Sequence, residues 1–149
     1  TDQKTRAIGG TIAITHIDNI NGIATSGRHG RSHSLGIADA VTVLAKNSAQ
    51  ADAAATLIAN AVDVQDTTLV KKIPANELYP DSDLADQLVT VDVAELPKKL
   101  AERAVAQGCD RAVDYIDRGL IKAATISLQG IVEVVGSRNL LIQNCNAKT

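Results

Sequence analysis

The groups best able to do chemistry crowd into one stretch, Thr25-Ser26-Gly27-Arg28-His29-Gly30-Arg31-Ser32-His33-Ser34-Leu35-Gly36. It holds three glycines, three serines, two arginines and two histidines, and no carboxylate. The chain as a whole is mildly acidic, with 15 basic and 17 acidic side chains, so a local basic patch stands out. Glycine allows positive φ and close backbone approach. Serine and arginine offer donors to anionic oxygen, and successive backbone N–H groups in such a loop can form an anion-binding concavity. The stretch reads as a site for a phosphate or carboxylate, with Ser26, Gly27, Arg28, Gly30, Arg31, Ser32 and Ser34 as its ligand-binding residues. The plainer alternative is a solvated, flexible connection between two strands.

His29 and His33 are the candidates for moving a proton, because histidine exchanges one near neutral pH. Their i, i+4 spacing suits a metal pair only on a helix, which the neighbouring glycines disfavour. A serine nucleophile built from Ser26, one of the two histidines and Asp39 is a further arrangement the order of residues permits. A second polar feature is the stripe Asp52, Thr56, Asn60. Steps of four residues advance about 40° around a helix, so these side chains share one face. A carboxylate and a hydroxyl one turn apart offer two oxygens to Mg²⁺, with water and substrate phosphates completing the shell. The alternative is a solvent face, with Asp52 favoured by the helix N-terminus. His16 reads as structural, and Asp81-Ser82-Asp83 as a helix cap rather than a cation site.

The elements that must position these groups follow from local pattern. β-Branched runs predict strands at Thr11–Thr15, Ile23–Thr25 and Ala40–Ala45. Ser48 is the expected N-cap of an alanine-rich helix from Ala49 to Val62, with Ala54, Leu57, Ile58 and Ala61 as its buried face. After an irregular segment come strands near Thr68–Ile73 and Val89–Val93. A long helix follows, with Pro97 in its first turn and Gly119 at C′. Its expected buried face is Leu100, Ala104, Gly108, Ala112, Tyr115 and Ile116. Gly108 lowers helix propensity by about 1 kcal/mol and so signals a break or a close contact. Ala123–Leu128, Gln129-Gly130 and Ile131–Val135 read as a closing hairpin. The expected class is α+β: a mostly antiparallel sheet with the alanine-rich helix and the long helix on one face.

Composition narrows the function. No apolar run reaches the ~20 residues of a membrane helix, and a formal net charge of −2 argues against a general nucleic-acid or anionic-membrane binder. There is no Phe, Trp or Met, and the only aromatic rings besides histidine are Tyr79 and Tyr115. The core must therefore be Ala, Val, Ile and Leu, and the second sheet face is expected to be apolar or to meet another subunit, which makes a homo-oligomer the expected state. Cys109 and Cys145 are too isolated for a metal cluster or disulfide framework, as in a reduced, cytoplasmic protein.

Three segments carry a resemblance. Ala24-Thr25-Ser26-Gly27, then Ala40–Ala45, then Ser48-Ala49-Gln50-Ala51-Asp52-Ala53-Ala54-Ala55-Thr56 resemble the ApbE superfamily, whose named members are FAD:protein FMN transferases. With Gly30-Arg31-Ser32-His33-Ser34-Leu35-Gly36-Ile37-Ala38-Asp39 between them, the chain is more similar to an uncharacterised ApbE-like branch. The likeness is strong over Gly22 to Val62 and weaker through Pro80–Leu84 and Leu88–Val91. It implies an α+β fold in one domain over 1–149, and family members long enough that an N-terminal portion is expected to be absent here. In the transferases an Ala-Asp-x-x-x-Thr motif supplies Mg²⁺ ligands, and those positions fall on Asp52 and Thr56. The resemblance thus implies Mg²⁺ and a phosphate-bearing small molecule such as FAD, FMN or a nucleotide, with transfer chemistry. The chain departs from the transferases in lacking their His-x-x-Asp-Pro-x-Thr-Gly segment. A non-catalytic, oligomeric scaffold that keeps the fold is the alternative.

Overall fold

The computed structural model describes residues 11–30, 33–136 and 141–142. In chain order the elements are β1 (Thr11–Ile12), a 3-10 turn (His16–Asp18), β2 (Gly22–Ser26), β3 (Ala40–Ala45), α1 (Ser48–Ala61), β4 (Val70–Pro74) and α2 (Ala75–Leu78). Then follow β5 (Leu88–Val93), α3 (Lys98–Asp117), β6 (Ala123–Leu128), β7 (Ile131–Gly136) and β8 (Leu141–Ile142). The class is α+β. Strands β2-β3-β6-β7 form one sheet in that order, every pair antiparallel, while β4–β5 and β1–β8 make separate two-stranded ribbons. Helix α1 packs on β2 and β3, α3 packs on β6 and β7, and the helices touch each other.

Strand alternation assigns the two faces. Val41 and Val43 of β3 pair with Ile126 and Ala124 of β6, and all four are buried beneath the helices. The opposite face carries Thr25 and Thr42, whose hydroxyls lie 2.8 Å apart, with Ile23, Val132 and Val134 exposed. Ile20 covers Leu44 and Ala123 at one end of that face. The β6–β7 turn uses Gln129 and Gly130, both at positive φ (46° and 86°), the backbone a two-residue hairpin requires.

Several local expectations shift. The first strand stops at Ile12 because the chain turns at Thr15, whose backbone N–H and hydroxyl both donate to the Asp18 carboxylate at 2.7 and 2.8 Å. Asn47, not Ser48, caps α1: its side-chain oxygen accepts the Gln50 N–H at 2.9 Å. Pro97 stands just before α3 as its cap residue. The buried face of α1 is Ala51, Ala54, Ala55, Ile58 and Ala59, while Leu57 is half exposed. A hydropathy count favours leucine for the core, but four of the five buried residues of this helix are alanine.

Gly108 of α3 records how close. A Cβ there would sit 2.5 Å from Cγ2 of the fully buried Val62, so the propensity cost noted above reflects helix contact, and α3 runs unbroken through it. Gly108→Ala is expected to lower stability by about 1–2 kcal/mol in urea unfolding, overpacking outweighing the gain in helix propensity. Adding Val62→Ala is expected to make the double variant more stable than the sum of the two single losses predicts, by about 1 kcal/mol.

Acid sensitivity has a local source at the turn before β4. Asp66 accepts from the Thr68 hydroxyl at 2.6 Å and from the Thr68 N–H at 2.9 Å. The hydroxyl first, and the backbone N–H next, hold this carboxyl below its ordinary pKa. A lowered folded pKa adds stability that is present above the unfolded value and lost as pH falls through the folded one. Asp66→Asn is therefore expected to lower the melting temperature near neutrality and to flatten its decline below about pH 4, the two proteins converging in acid.

Candidate functional site

The glycine-rich connection between β2 and β3 is pinned at two places. At its start Arg28 turns onto Asp39: Nε donates to Oδ1 at 2.9 Å, and Nη2 lies 2.7 Å from the same oxygen. His29 Nε2 is 3.2 Å from that oxygen as well. Oδ2 of Asp39 accepts the Gln129 backbone N–H at 2.5 Å, tying the loop to the β6–β7 turn. Backbone bonds reinforce the knot, Arg28 N–H to Ala38 O and Asp39 N–H to Ser127 O, each at 2.9 Å. Gln129 extends it, its side chain accepting the Leu96 N–H (2.9 Å) and donating to Ala94 O (2.7 Å) ahead of α3. One carboxylate thus joins three separate stretches of chain.

The second anchor lies at the far end of the loop, on the last turn of α1. Asn60 Oδ1 accepts the Leu35 N–H at 3.1 Å and the Ser34 hydroxyl at 3.4 Å, and Ser34 Oγ accepts the Gly36 N–H at 3.3 Å. Ile37 N–H donates to Val62 O, and Thr90 N–H to Ser34 O, both at 2.8 Å. The Lys72 ammonium bridges Leu35 O (2.7 Å) and Asp63 Oδ2 (2.6 Å). Gly36 is pressed so tightly on the helix that a Cβ would come within 2.2 Å of Ala59 O. The His33 ring stacks at a 38° tilt on Tyr79, with centroids 5.2 Å apart.

These contacts place the sequence-selected residues individually. Arg28, His29 and Gly30 stand together at the first anchor, with Ser26 and Gly27 leading into it, Ser26 part-buried and Gly27 buried. Ser34 is 5% exposed, and its hydroxyl serves the loop's own fold. Arg31 and Ser32 lie outside the described residues, as does Cys145. Asp52 and Thr56 are exposed on α1. The described part of the loop meets that helix at Asn60, about 12 Å along the axis from Asp52 at ~1.5 Å per residue. Among the described residues no three His, Cys, Asp or Glu side chains gather in a metal-binding group. Asp81 and Ser82 belong to turns after α2 rather than to a helix cap.

Electrostatics divides the loop. Its second half sits at the C-terminus of α1, where backbone carbonyls concentrate negative charge, and the charge that answers it is Lys72. The first half carries Arg28 and His29 and is the half suited to an anion.

Sequence reading missed the residues that hold this site. Lys72, Asp63, Thr90 and Gln129 come from distant or unrelated stretches and bear no local signature. Asn60 was visible as a member of the polar stripe. Tyr79 carried a signal that could have been used, being one of only two tyrosines in a chain without Phe or Trp.

A family model described as AbpE bacteria matches residues 2–134. The chain belongs to that family. Part of it is also similar to UPF0280 protein MJ1526 of Methanocaldococcus jannaschii, with 53% identity over 58 residues. That match takes in 38% of this chain and 24% of the relative, so it spans about a quarter of that protein's length. No solved structure matches the chain. Among the described residues no helix is long and apolar enough to cross a membrane.

The Asp39 knot makes a direct prediction. Asp39→Ala leaves Arg28 without its partner and the Gln129 N–H without its acceptor, and is expected to lower stability by about 1–3 kcal/mol. Hydrogen exchange should place the largest local loss at the β6–β7 turn, with the α1 anchor little changed.

Proposed function

We propose that the first half of the loop binds the phosphate or carboxylate of a small molecule. The observation that supports this reading is the pair of anchors: a glycine-rich, cationic segment fixed at both ends loses little freedom on binding. Arg28 spends Nε and one terminal nitrogen on Asp39, which aims the guanidinium and leaves further N–H groups for a ligand. His29, 36% exposed, turns Nε2 to Asp39. If Nε2 carries the hydrogen, Nδ1 keeps a lone pair able to take a proton from a bound hydroxyl or water.

The likeness to flavin transferases adds the ligand class, a nucleotide such as FAD or FMN, and a transferase reaction. Mg²⁺ enters this reading with the ligand. Asp52 and Thr56, the residues the resemblance offers to Mg²⁺, present two exposed oxygens about 12 and 6 Å along α1 from where the loop meets it, so they do not fit a metal shared with a phosphate held at Arg28.

A second reading, the non-catalytic scaffold assembled from copies of itself, is favoured by how many polar groups are spent internally: Arg28 on Asp39, Ser34 on Asn60, Lys72 on Asp63. The exposed Ile23, Val132 and Val134 would serve such an assembly.

Thermal unfolding separates the two. A ligand that binds only the folded state raises its melting temperature, by an amount that grows with concentration over Kd. Titration with phosphate, nucleotides and flavin nucleotides, with and without Mg²⁺, is expected to give such a rise for phosphate-bearing members. Arg28→Ala is expected to abolish it while the protein still folds. A flat response across the panel favours the scaffold.

A further inference from the structure

Strand β7 is an edge of the four-stranded sheet. Among the described residues it pairs with β6 on one side and with no strand on the other. Its pairing with β6 is regular from Ala123↔Gly136 to Leu128↔Ile131. Edge strands are ordinarily blunted by lysine, proline or a bulge. Strand β7 has none of these, and its one charge is Glu133. Its outer N–H and C=O groups therefore offer a template for a further strand. Beside that edge lies a groove of about 210 Å³ between α3 and β7. Val105, Ala106, Cys109 and Ile131 give it an apolar floor, and Glu102, Asp110 and Glu133 bring carboxylates to it. Glu102, Ala106 and Asp110 recur at every fourth position of α3, so they share one face of the helix. No lysine or arginine is among the lining residues. Lys98 lies 3.8 Å from Glu102 but is 84% exposed, a weak contact in water. The Cys109 thiol registers the field: burial first, then Glu133 and Asp110, hold its pKa above the ordinary value.

We infer that this groove takes an extended peptide segment carrying lysine or arginine, added as a strand to β7. Strand addition satisfies the open backbone groups, and side chains on one face of the added strand enter the space between β7 and α3. A lysine or arginine there lays its apolar stem on the floor and brings its charge to the carboxylates. On the other face the neighbours are the exposed Val132 and Val134, which suit β-branched residues. Charge decides the partner. A second copy of this chain pairing at the same edge would add its own Glu102, Asp110 and Glu133 to the rim, and like charges brought together oppose association. A basic segment answers them. No residue of the β2–β3 loop takes part.

The test is fluorescence anisotropy of a labelled hexapeptide of alternating lysine and valine, titrated with the intact chain at about 0.15 M ionic strength, where loose surface attraction is screened. The peptide is expected to bind saturably, and its glutamate–valine counterpart not to bind. Glu102→Lys with Asp110→Lys is expected to weaken binding about tenfold or more while the melting temperature stays close to that of the unaltered protein. Glu77→Lys with Asp81→Lys, the same change of charge at exposed positions outside the groove, is expected to leave binding unchanged. A fully N-methylated lysine–valine peptide keeps charge and side chains but has no N–H to donate, and is expected to lose binding. Absence of binding by the lysine–valine peptide, binding that survives the groove variant, or equal binding of the N-methylated peptide overturns the proposal. Self-association of the chain that the peptide disperses overturns it as well, by placing a second copy at this edge.

Discussion

The close approach of α1 to its surroundings is the constraint on which the rest depends. The helix presents alanine at most of its buried positions and meets glycine at both Gly36 and Gly108. Neither site has room for a Cβ without displacing backbone or a fully buried valine. Interiors pack at near-crystalline density, so moving this helix outward by one methyl would be felt throughout the layer. The loop depends on the same geometry: with Gly36 against the final turn of α1, Leu35 N–H falls within reach of Asn60 and Leu35 O within reach of Lys72. The candidate site is a consequence of how tightly the helix is seated.

Charge then sorts what tight packing assembles. The carbonyl end of α1 beside Leu35 and Gly36 is the wrong end of a helix for an anion, and the protein places an ammonium there. Arg28 and His29 stand at the other anchor, sharing one oxygen of Asp39 while its second oxygen fastens the hairpin turn. Asp39 therefore couples the orientation of Arg28 and His29 to the register of β6 and β7. A carboxylate with this many partners is costly to change, and it belongs to the architecture as much as to any ligand.

What could be read from the residues alone was whatever local pattern specifies. Ala40–Ala45 is a β-branched run, and Gln129-Gly130 sits between two others, so strands and hairpin were legible. Gly108 was legible as either a break or a close contact, and the unbroken α3 against Val62 decides for the contact. Leu57 misled, since a periodicity count scores it as core while close packing prefers its alanine neighbours. The loop was legible as chemistry but not as geometry. Its composition announced donors and cations, yet its position depends on Asn60, Lys72, Thr90 and Gln129, which meet it only after folding. Family membership agrees with the ApbE-like resemblance at the level of the family, and the finer likeness to flavin transferases belongs to the functional proposal.

An alanine-dominated helix face has a thermal consequence as well. Alanine has no rotamers to lose on burial, so seating α1 costs little side-chain entropy. It also removes less apolar area from water than leucine or phenylalanine would, and the heat capacity of unfolding tracks that area. A core of this kind gives a shallow dependence of stability on temperature: modest at its maximum, and slow to fade on either side of it.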